Sequence, residues 1–358
     1  MRVFISAGEA SGDLYGSALA ARLLPLGFEV TGLGGSRMAA LGLPLIGDSS
    51  RWGSISIVQS VREGLRGIGT YNRLKAALRA GPAGVFVPID FGYMNLRLCR
   101  FAREAGWKVL YFIPPGSWRR DRQGADIPKL ADEVVTNFPW SAEMLSRMGA
   151  SAHFYGHPLL EIHSEVLKSD LPRSGLAVLP GSRRSEMEQL LPILGMALSD
   201  YPGTITIPVP PRHMELVRRL WNRGLDQIID GSKDGAVIGT LKSAERAVVC
   251  SGTATLEATL AKTPMVAVYK VSKAVEIETK LIGFKRPEFV SQPNILLQRG
   301  VVPELIQEDL SVTSLRDTLG NLDVGRQLQG FDEIEALLSP ATCLTQTVEL
   351  IQKLAAQV

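Results

Sequence analysis

The sequence predicts an α/β protein of two Rossmann-like domains, each built on a parallel sheet, with the sheets facing an interdomain cleft. Three observations lead there. Short apolar runs of strand length alternate with amphipathic stretches of helical length. The alternation pauses in a Pro-punctuated polar stretch, Pro158 to Pro172, and then begins again. The length, 358 residues, suits two domains of ordinary size.

Taken in order, Val3–Ser6 reads as a buried strand, followed by the turn Gly8–Asp13 and a helix from Leu14 to Leu24. Val85–Val87, Val109–Phe112, Val134-Val135 and His153–Tyr155 read as the next strands, which gives a first domain over residues 1–163. The second set is Ala177–Leu179, Ile205–Ile207, Val237-Ile238, Ala247–Val249 and Met265–Val268, within residues 164–338. Residues 339–358 hold an amphipathic helix, roughly Pro340 to Gln357, which could cap either domain, the first being one candidate.

Composition narrows the function. No apolar run is long enough to span a bilayer, and mean hydropathy is only +0.10. Cys99, Cys250 and Cys343 are odd in number and far apart, and no CxxC occurs, so neither a disulfide framework nor a structural zinc is expected. That usage fits a reducing cytoplasm. A net charge of +3 is too mild to imply nucleic-acid binding.

In open α/β sheets ligands bind beyond the carboxyl ends of the strands. Two loops there carry chemistry. In VLPGSRRSEMEQLLP (Val178–Pro192), Gly181 allows close backbone approach, Ser182 is a helix cap and Arg183 offers a planar fork for phosphate oxygens. In CSGTATLEATL, from Cys250, the turn Ser251-Gly252-Thr253 repeats the pattern. Glu257 lies one helical turn beyond Thr253, placed to accept hydrogen bonds from two ribose hydroxyls. Either loop alone reads as well as a capped helix start with exposed charge. Together they point to a nucleotide diphosphate. Asp90 ends a strand and reads either as a general base or as the cap of the next helix. His157 beside Pro158 reads as a structural residue.

With SAGEASGDLYG (Ser6–Gly16), PIDFGYMNLRL (Pro88–Leu98), YGHPL (Tyr155–Leu159) and QPNILL (Gln292–Leu297), these stretches resemble the lipid-A-disaccharide synthases over nearly the whole chain. The resemblance implies a GT-B fold and an inverting transfer of 2,3-diacylglucosamine from its UDP form to 2,3-diacylglucosamine 1-phosphate. The product is a β-1,6-linked disaccharide, with UDP released and no cofactor or metal ion. It implies Asp90 as the catalytic base. It assigns Gly181, Ser182, Arg183, Ser251, Gly252, Thr253, Glu257 and Asn294 to the nucleotide, and Gly8, Glu9, Ser11, Gly12 and Asp13 to the acceptor side. The partners would be a UDP-linked acylated amino sugar and a lipid monosaccharide phosphate.

An acylated substrate also favours a peripheral contact with the inner face of the cytoplasmic membrane. Ser54–Gly69, with Arg62 and Arg66, the nearby Arg51, Arg73, Lys75, Arg97, Arg100 and Arg103, and Trp52 and Trp118, would supply it. The first half departs from the family pattern at Tyr93, where a second carboxylate is usual, at Gln59, at Pro114–Arg120 and at Pro139-Trp140-Ser141. Those departures leave three alternatives: a homologue with another acceptor, a UDP-sugar epimerase or hydrolase, or an inactive nucleotide-binding homologue. Oligomeric state is not legible in the sequence.

Overall fold

The computed structural model describes residues 1–49, 57–115, 125–221, 223–224, 226–281, 283 and 286–358, and of 57–67, 93 and 279–281 the backbone alone. Arg51, Trp52, Gly116–Arg120 with Trp118, and the side chains of Gln59, Arg62, Arg66 and Tyr93 therefore lie outside the described residues. The chain divides into two compact units, Met1–Ile162 with Leu338–Val358, and His163–Leu337.

The first unit holds β1 (Arg2–Ala7), α1 (Glu9–Leu23), β2 (Glu29–Gly34), α2 (Ser36–Ala40), β3 (Leu45–Asp48), α3 (Ile57–Arg79), β4 (Val85–Ile89), α4 (Gly92–Glu104), β5 (Lys108–Phe112), α5 (Ile127–Leu130), β6 (Glu133–Thr136), α6 (Pro139–Arg147), β7 (Ala152–Phe154) and α7 (Pro158–Ile162). Its sheet is parallel, in the order β3-β2-β1-β4-β5-β6-β7. Val3, Phe4 and Ile5 on β1 and Val85, Phe86 and Val87 on β4 are fully buried. A parallel sheet demands such unbroken apolar strands, because the crossover helices cover both faces. Phe4 packs against Phe86 and edge-on against Trp107, whose indole N–H donates to the Leu78 carbonyl at 2.8 Å.

The second unit holds α8 (Ser164–Lys168), β8 (Leu176–Leu179), α9 (Arg184–Ala197), β9 (Ile205–Val209), α10 (Pro211–Leu220), β10 (Gln227–Asp230), α11 (Ala236–Ser243), β11 (Arg246–Cys250), α12 (Thr253–Leu260), β12 (Met265–Tyr269), α13 (Lys273–Leu281), α14 (Gln292–Leu297), β13 (Glu304–Ile306), α15 (Val312–Gly320) and α16 (Val324–Leu338). Its sheet runs β10-β9-β8-β11-β12-β13, again parallel. The last helix, α17 (Cys343–Ala355), belongs to the first unit. Its stripe Leu344, Val348, Ile351 and Leu354 is buried, and its start is capped by the Glu161 carboxylate, which accepts from the Leu344 amide at 2.6 Å and the Thr345 hydroxyl at 2.6 Å.

Several elements differ from the sequence expectation. Val237-Ile238 is not a strand: it opens α11, where Ile238 and Leu241 fall on one buried face, and the strand of that region is β10. A two-residue apolar pair has no period, so it fits either element. α1 begins at Glu9 rather than Leu14, and the Pro158–Pro172 stretch carries the short helices α7 and α8.

Each sheet has a switch point, where the chain stops building outward on one side and crosses to the other. In the first it lies between β1 and β4, in the second between β8 and β11. The carboxyl ends of those four strands are where a ligand site is expected, and they carry the loops at Gly8, Asp90, Gly181 and Ser251.

Candidate active site

At the first switch point Ala7 pairs with Ile89, so the loops beginning at Gly8 and Asp90 leave the sheet side by side. Asp90 and Phe91 both have positive φ, 46° and 50°, as does Glu9 at 58°. Non-glycine residues seldom adopt this conformation, and it concentrates at functional sites. The Asp90 carbonyl accepts from the Asn95 amide at 2.9 Å and the Tyr111 hydroxyl at 3.1 Å. Asp90 does not cap α4, whose N-cap is Phe91 with no side-chain cap bond. Desolvation by the surrounding protein and the nearby Glu9 charge raise the Asp90 carboxyl from 3.8 to about 6, against a hydrogen bond with the Phe91 backbone. The side chain still reaches solvent, and water moderates the shift.

The neighbours expected on the acceptor side divide. Gly8 makes room for protein rather than leaving space open: a Cβ there would lie 2.5 Å from the Phe91 ring. Ser11 is inside the first turn of α1, whose N-cap is Gly8, so it is not the cap. Gly12 is buried, in ordinary contact distance of Ala7. Asp13 is buried and its carboxylate accepts from the amides of Gly35, Arg37 and Met38 at 2.7, 2.9 and 3.1 Å. It caps α2 and faces the β2–α2 turn. Glu9, half-buried, is the member of this group that acts on Asp90.

At the second switch point Val249 pairs with Leu179, which brings the Gly181 and Ser251 loops together. Gly181 has φ of 101°, and a Cβ on it would lie 2.4 Å from a Glu186 carboxylate oxygen and 3.2 Å from the Cys250 sulfur. α9 starts one residue later than expected, with Arg183 rather than Ser182 as N-cap. The amides of Ser182 and Arg183, expected to face a phosphate, both donate to Glu186 Oε2 at 3.1 Å. Arg183 Nη1 donates to Glu186 Oε1 at 2.8 Å. A buried carboxylate of the chain thus occupies the anion position at this helix start. Burial first, then Glu186 and Cys250, push the Tyr269 hydroxyl at the end of β12 up to about 12, so it stays protonated. His213 of α10 is held below its ordinary value by partial burial and by Arg212.

The second loop is more open. Ser251 is occupied, its amide donating to the Val268 carbonyl at 2.9 Å and its hydroxyl to the Val290 carbonyl at 2.6 Å. Gly252, exposed, has φ 150° and ψ −159°, reachable by glycine alone, and a Cβ there would meet nothing within 4 Å. Thr253 begins α12, so its amide and that of Ala254 are first-turn donors with no carbonyl of the helix behind them. Glu257 Oε1 lies 3.2 Å from His163 Nε2, without hydrogen-bond geometry. Asn294 is buried, and its amide is fully used: Oδ1 accepts from Val301 and Val302, and Nδ2 donates to Val302 O and Glu304. It holds its own loop in place instead of facing a ligand. Among the described residues no group of three or more His, Cys, Asp or Glu side chains is arranged to hold a metal ion.

The profile of a known family, described as lipid-A-disaccharide synthetase, matches residues 3–327. The chain belongs to this family. A lipid-A-disaccharide synthase of a Synechocystis species is 32% identical over 380 residues, covering 96% of this chain and 95% of that protein. In fold the chain is similar to the calicheamicin glycosyltransferase CalG4, with TM-score 0.63, 12% identity and coverage of 99% and 98%. It is equally similar to a UDP-GlcNAc 2-epimerase from Neisseria meningitidis bound to UDP-GlcNAc, with TM-score 0.63, 10% identity and coverage of 99% and 100%. The fold is thus that of the two-domain GT-B proteins, and this synthetase-family member is a hexosyltransferase of lipid A biosynthesis. Five residues around the candidate site escaped the sequence reading as site residues: Asn95, Tyr111, His163, Glu186 and Glu304. Glu186 alone left a trace, as a first-turn acid after a Pro-Gly-Ser-Arg turn.

Proposed function

We propose that this synthetase-family protein joins two acylated sugars, with Asp90 as the general base and the second switch point as the seat of the UDP diphosphate. In the reaction the acceptor 6-hydroxyl loses its proton to Asp90 as its oxygen bonds to C1 of the donor sugar. The bond from C1 to the UDP oxygen breaks, and UDP leaves with the electron pair. A carboxylate raised toward neutrality serves this purpose, since it is ionised at pH 7.5 yet basic enough to take a proton. The single observation that carries the reading is Asp90 itself: solvent-reaching, beside Glu9, on a left-handed backbone at a switch point.

The leaving diphosphate would settle on the first-turn amides of α12 above Gly252, with the Arg183 guanidinium alongside. Glu186 holds Arg183 and the turn before it, so this loop offers a fixed cation rather than bare amides. Glu257 remains the candidate for the ribose hydroxyls, steadied by His163.

A lipid acceptor also calls for a peripheral membrane contact, for which Lys75 and Arg79, both stacked over Phe101 on α3 and α4, are the described candidates. Arg100 and Arg103 contribute less, being paired with Asp126 and Asp132. No described helix is long and apolar enough to cross a membrane. Salt-sensitive flotation with anionic liposomes is expected.

Mass spectrometry of products from UDP-2,3-diacylglucosamine and 2,3-diacylglucosamine 1-phosphate tests the function. Disaccharide formed together with UDP, and only when both substrates are present, is the expected result. UDP released without acceptor, or no disaccharide at all, would overturn it.

A further inference from the structure

Two consecutive left-handed residues, neither of them glycine, need a cause. The Asp90–Phe91 step has one on every side. The Asp90 amide donates to the carbonyls of Phe112 and Ile113, both at 3.2 Å. Asn95, in the first turn of α4, is fully buried and aims its Nδ2 at the carbonyls of Ser6, Ile89 and Asp90, at 3.1, 3.1 and 2.9 Å. Its Oδ1 accepts from the Ser6 hydroxyl at 2.7 Å, which fixes the amide's orientation. Tyr111 on β5 is fully buried, and its hydroxyl donates to the Asp90 carbonyl at 3.1 Å. A phenylalanine would fill the same apolar space, so the hydroxyl's distinct contribution is that bond. The Phe91 ring, turned over Gly8, closes the remaining direction.

We propose that Asn95 and Tyr111 are positioning residues for the transfer, jointly holding the Asp90–Phe91 peptide left-handed and so aiming the Asp90 carboxylate. Neither side chain reaches the surface, so both act through Asp90. The proposal rests on Asp90 being the base. Burial also keeps the Tyr111 hydroxyl protonated, its pKa raised well above the ordinary tyrosine value, so the donor persists across the working pH range.

The test is steady-state kinetics on Tyr111→Phe, Asn95→Asp, Asp90→Asn and the double variant Asp90→Asn/Tyr111→Phe, each with its thermal midpoint. Asn95→Asp keeps the shape and the Ser6 bond but removes the donors. A misaimed base lowers kcat and leaves donor KM within about twofold; the expected losses in kcat are about tenfold for Tyr111→Phe and about 100-fold for Asn95→Asp. Adding Tyr111→Phe to Asp90→Asn should cost nothing further, because no base remains to aim. A purely structural role would lower the thermal midpoint, leave kcat per folded molecule unchanged and so overturn the proposal. An undiminished further loss in the Asp90→Asn background would overturn it too, while the base reading stood. Normal turnover in Asp90→Asn would remove the base reading and this proposal together. Should Asn95→Asp fail to fold, Tyr111→Phe decides alone.

Discussion

The two switch points share one topology and handle carboxylates in opposite ways. At the first, Asp90 is open to solvent, carries a raised pKa and is fixed through its backbone. At the second, the buried Glu186 is turned inward as an internal anion, and half-buried Glu304, farther along the sheet on edge strand β13, plays the same part for the neighbouring loop. Glu186 gathers Ser182 and Arg183, and Glu304 gathers Val290, Ser291 and Asn294. The contrast follows from the chemistry each end would serve. A base must keep a lone pair open to its substrate, so the protein grips mainly its main chain. A loop meant to meet a polyanion must not collapse or stray, so carboxylates of the chain hold its donors in register. The helix start at Gly252 is the open one: a Cβ there would meet nothing within 4 Å among the described residues.

Removing the open carboxylate should have the largest effect. Asp90→Asn is expected to lower kcat by ~10²–10⁴-fold with UDP affinity unchanged by calorimetry. In the parent, kcat/KM should fall as pH drops through about 6, where Asp90 takes up a proton, and the variant should lack this limb. The stability sign is the reverse of the usual acid. Because the folded value lies above 3.8, ionising Asp90 disfavours the fold as pH rises from about 4 through about 6. Asp90→Asn should therefore melt no lower than the parent at pH 7.5. A lower melting temperature would show that the ionised group was stabilising, and the contrast between the two ends would fail.

The internal anion comes next. Arg183→Ala should weaken UDP binding by about 10- to 100-fold, the range of a lost charge-assisted hydrogen bond. Glu186→Ala should weaken it too, by about tenfold, and lower the melting temperature, because two amides and a guanidinium lose one shared acceptor. Tighter UDP binding in Glu186→Ala would reverse the reading, since Glu186 would then be a competitor of the diphosphate. Gly252→Ala probes the open corner. Its φ of 150° is barred to alanine, so melting temperature and UDP affinity should both fall.

What the sequence made legible was local. Loops after apolar strands carry their Gly, Ser, Asp and Arg in plain view, which is why Asp90 and the PGSRR and SGTATLE corners stood out. What it hid was remote pairing. Asn95 matters because Ser6 is its partner 89 residues away, and Asp13 looked like a site acid because the α2 turn it caps lies more than 20 residues on. Glu186 read as an ordinary first-turn acid, and only its place beneath Gly181 and beside Cys250 makes it an internal anion. The missed strands have physical reasons as well. β2 is interrupted by glycine, while β3, β10 and β13 are edge strands of three or four residues, too short to show a period.

The smallest expected effect concerns Glu257, whose half-buried carboxylate lies 3.2 Å from the buried His163 ring. If Glu257 takes the ribose hydroxyls, Glu257→Ala should erase the preference for UDP over 2′-deoxy-UDP, a difference of about 3- to 10-fold for one hydrogen bond. His163→Ala should reduce that preference without abolishing it, since the imidazole would steady the carboxylate but not touch the sugar. Calorimetry with both nucleotides on both variants separates the roles. A preference left intact in Glu257→Ala would place the ribose elsewhere and leave the His163–Glu257 pair as an internal tie between α8 and α12. The second switch point would then differ from the first even more sharply, with every acid described there turned to the protein's own use.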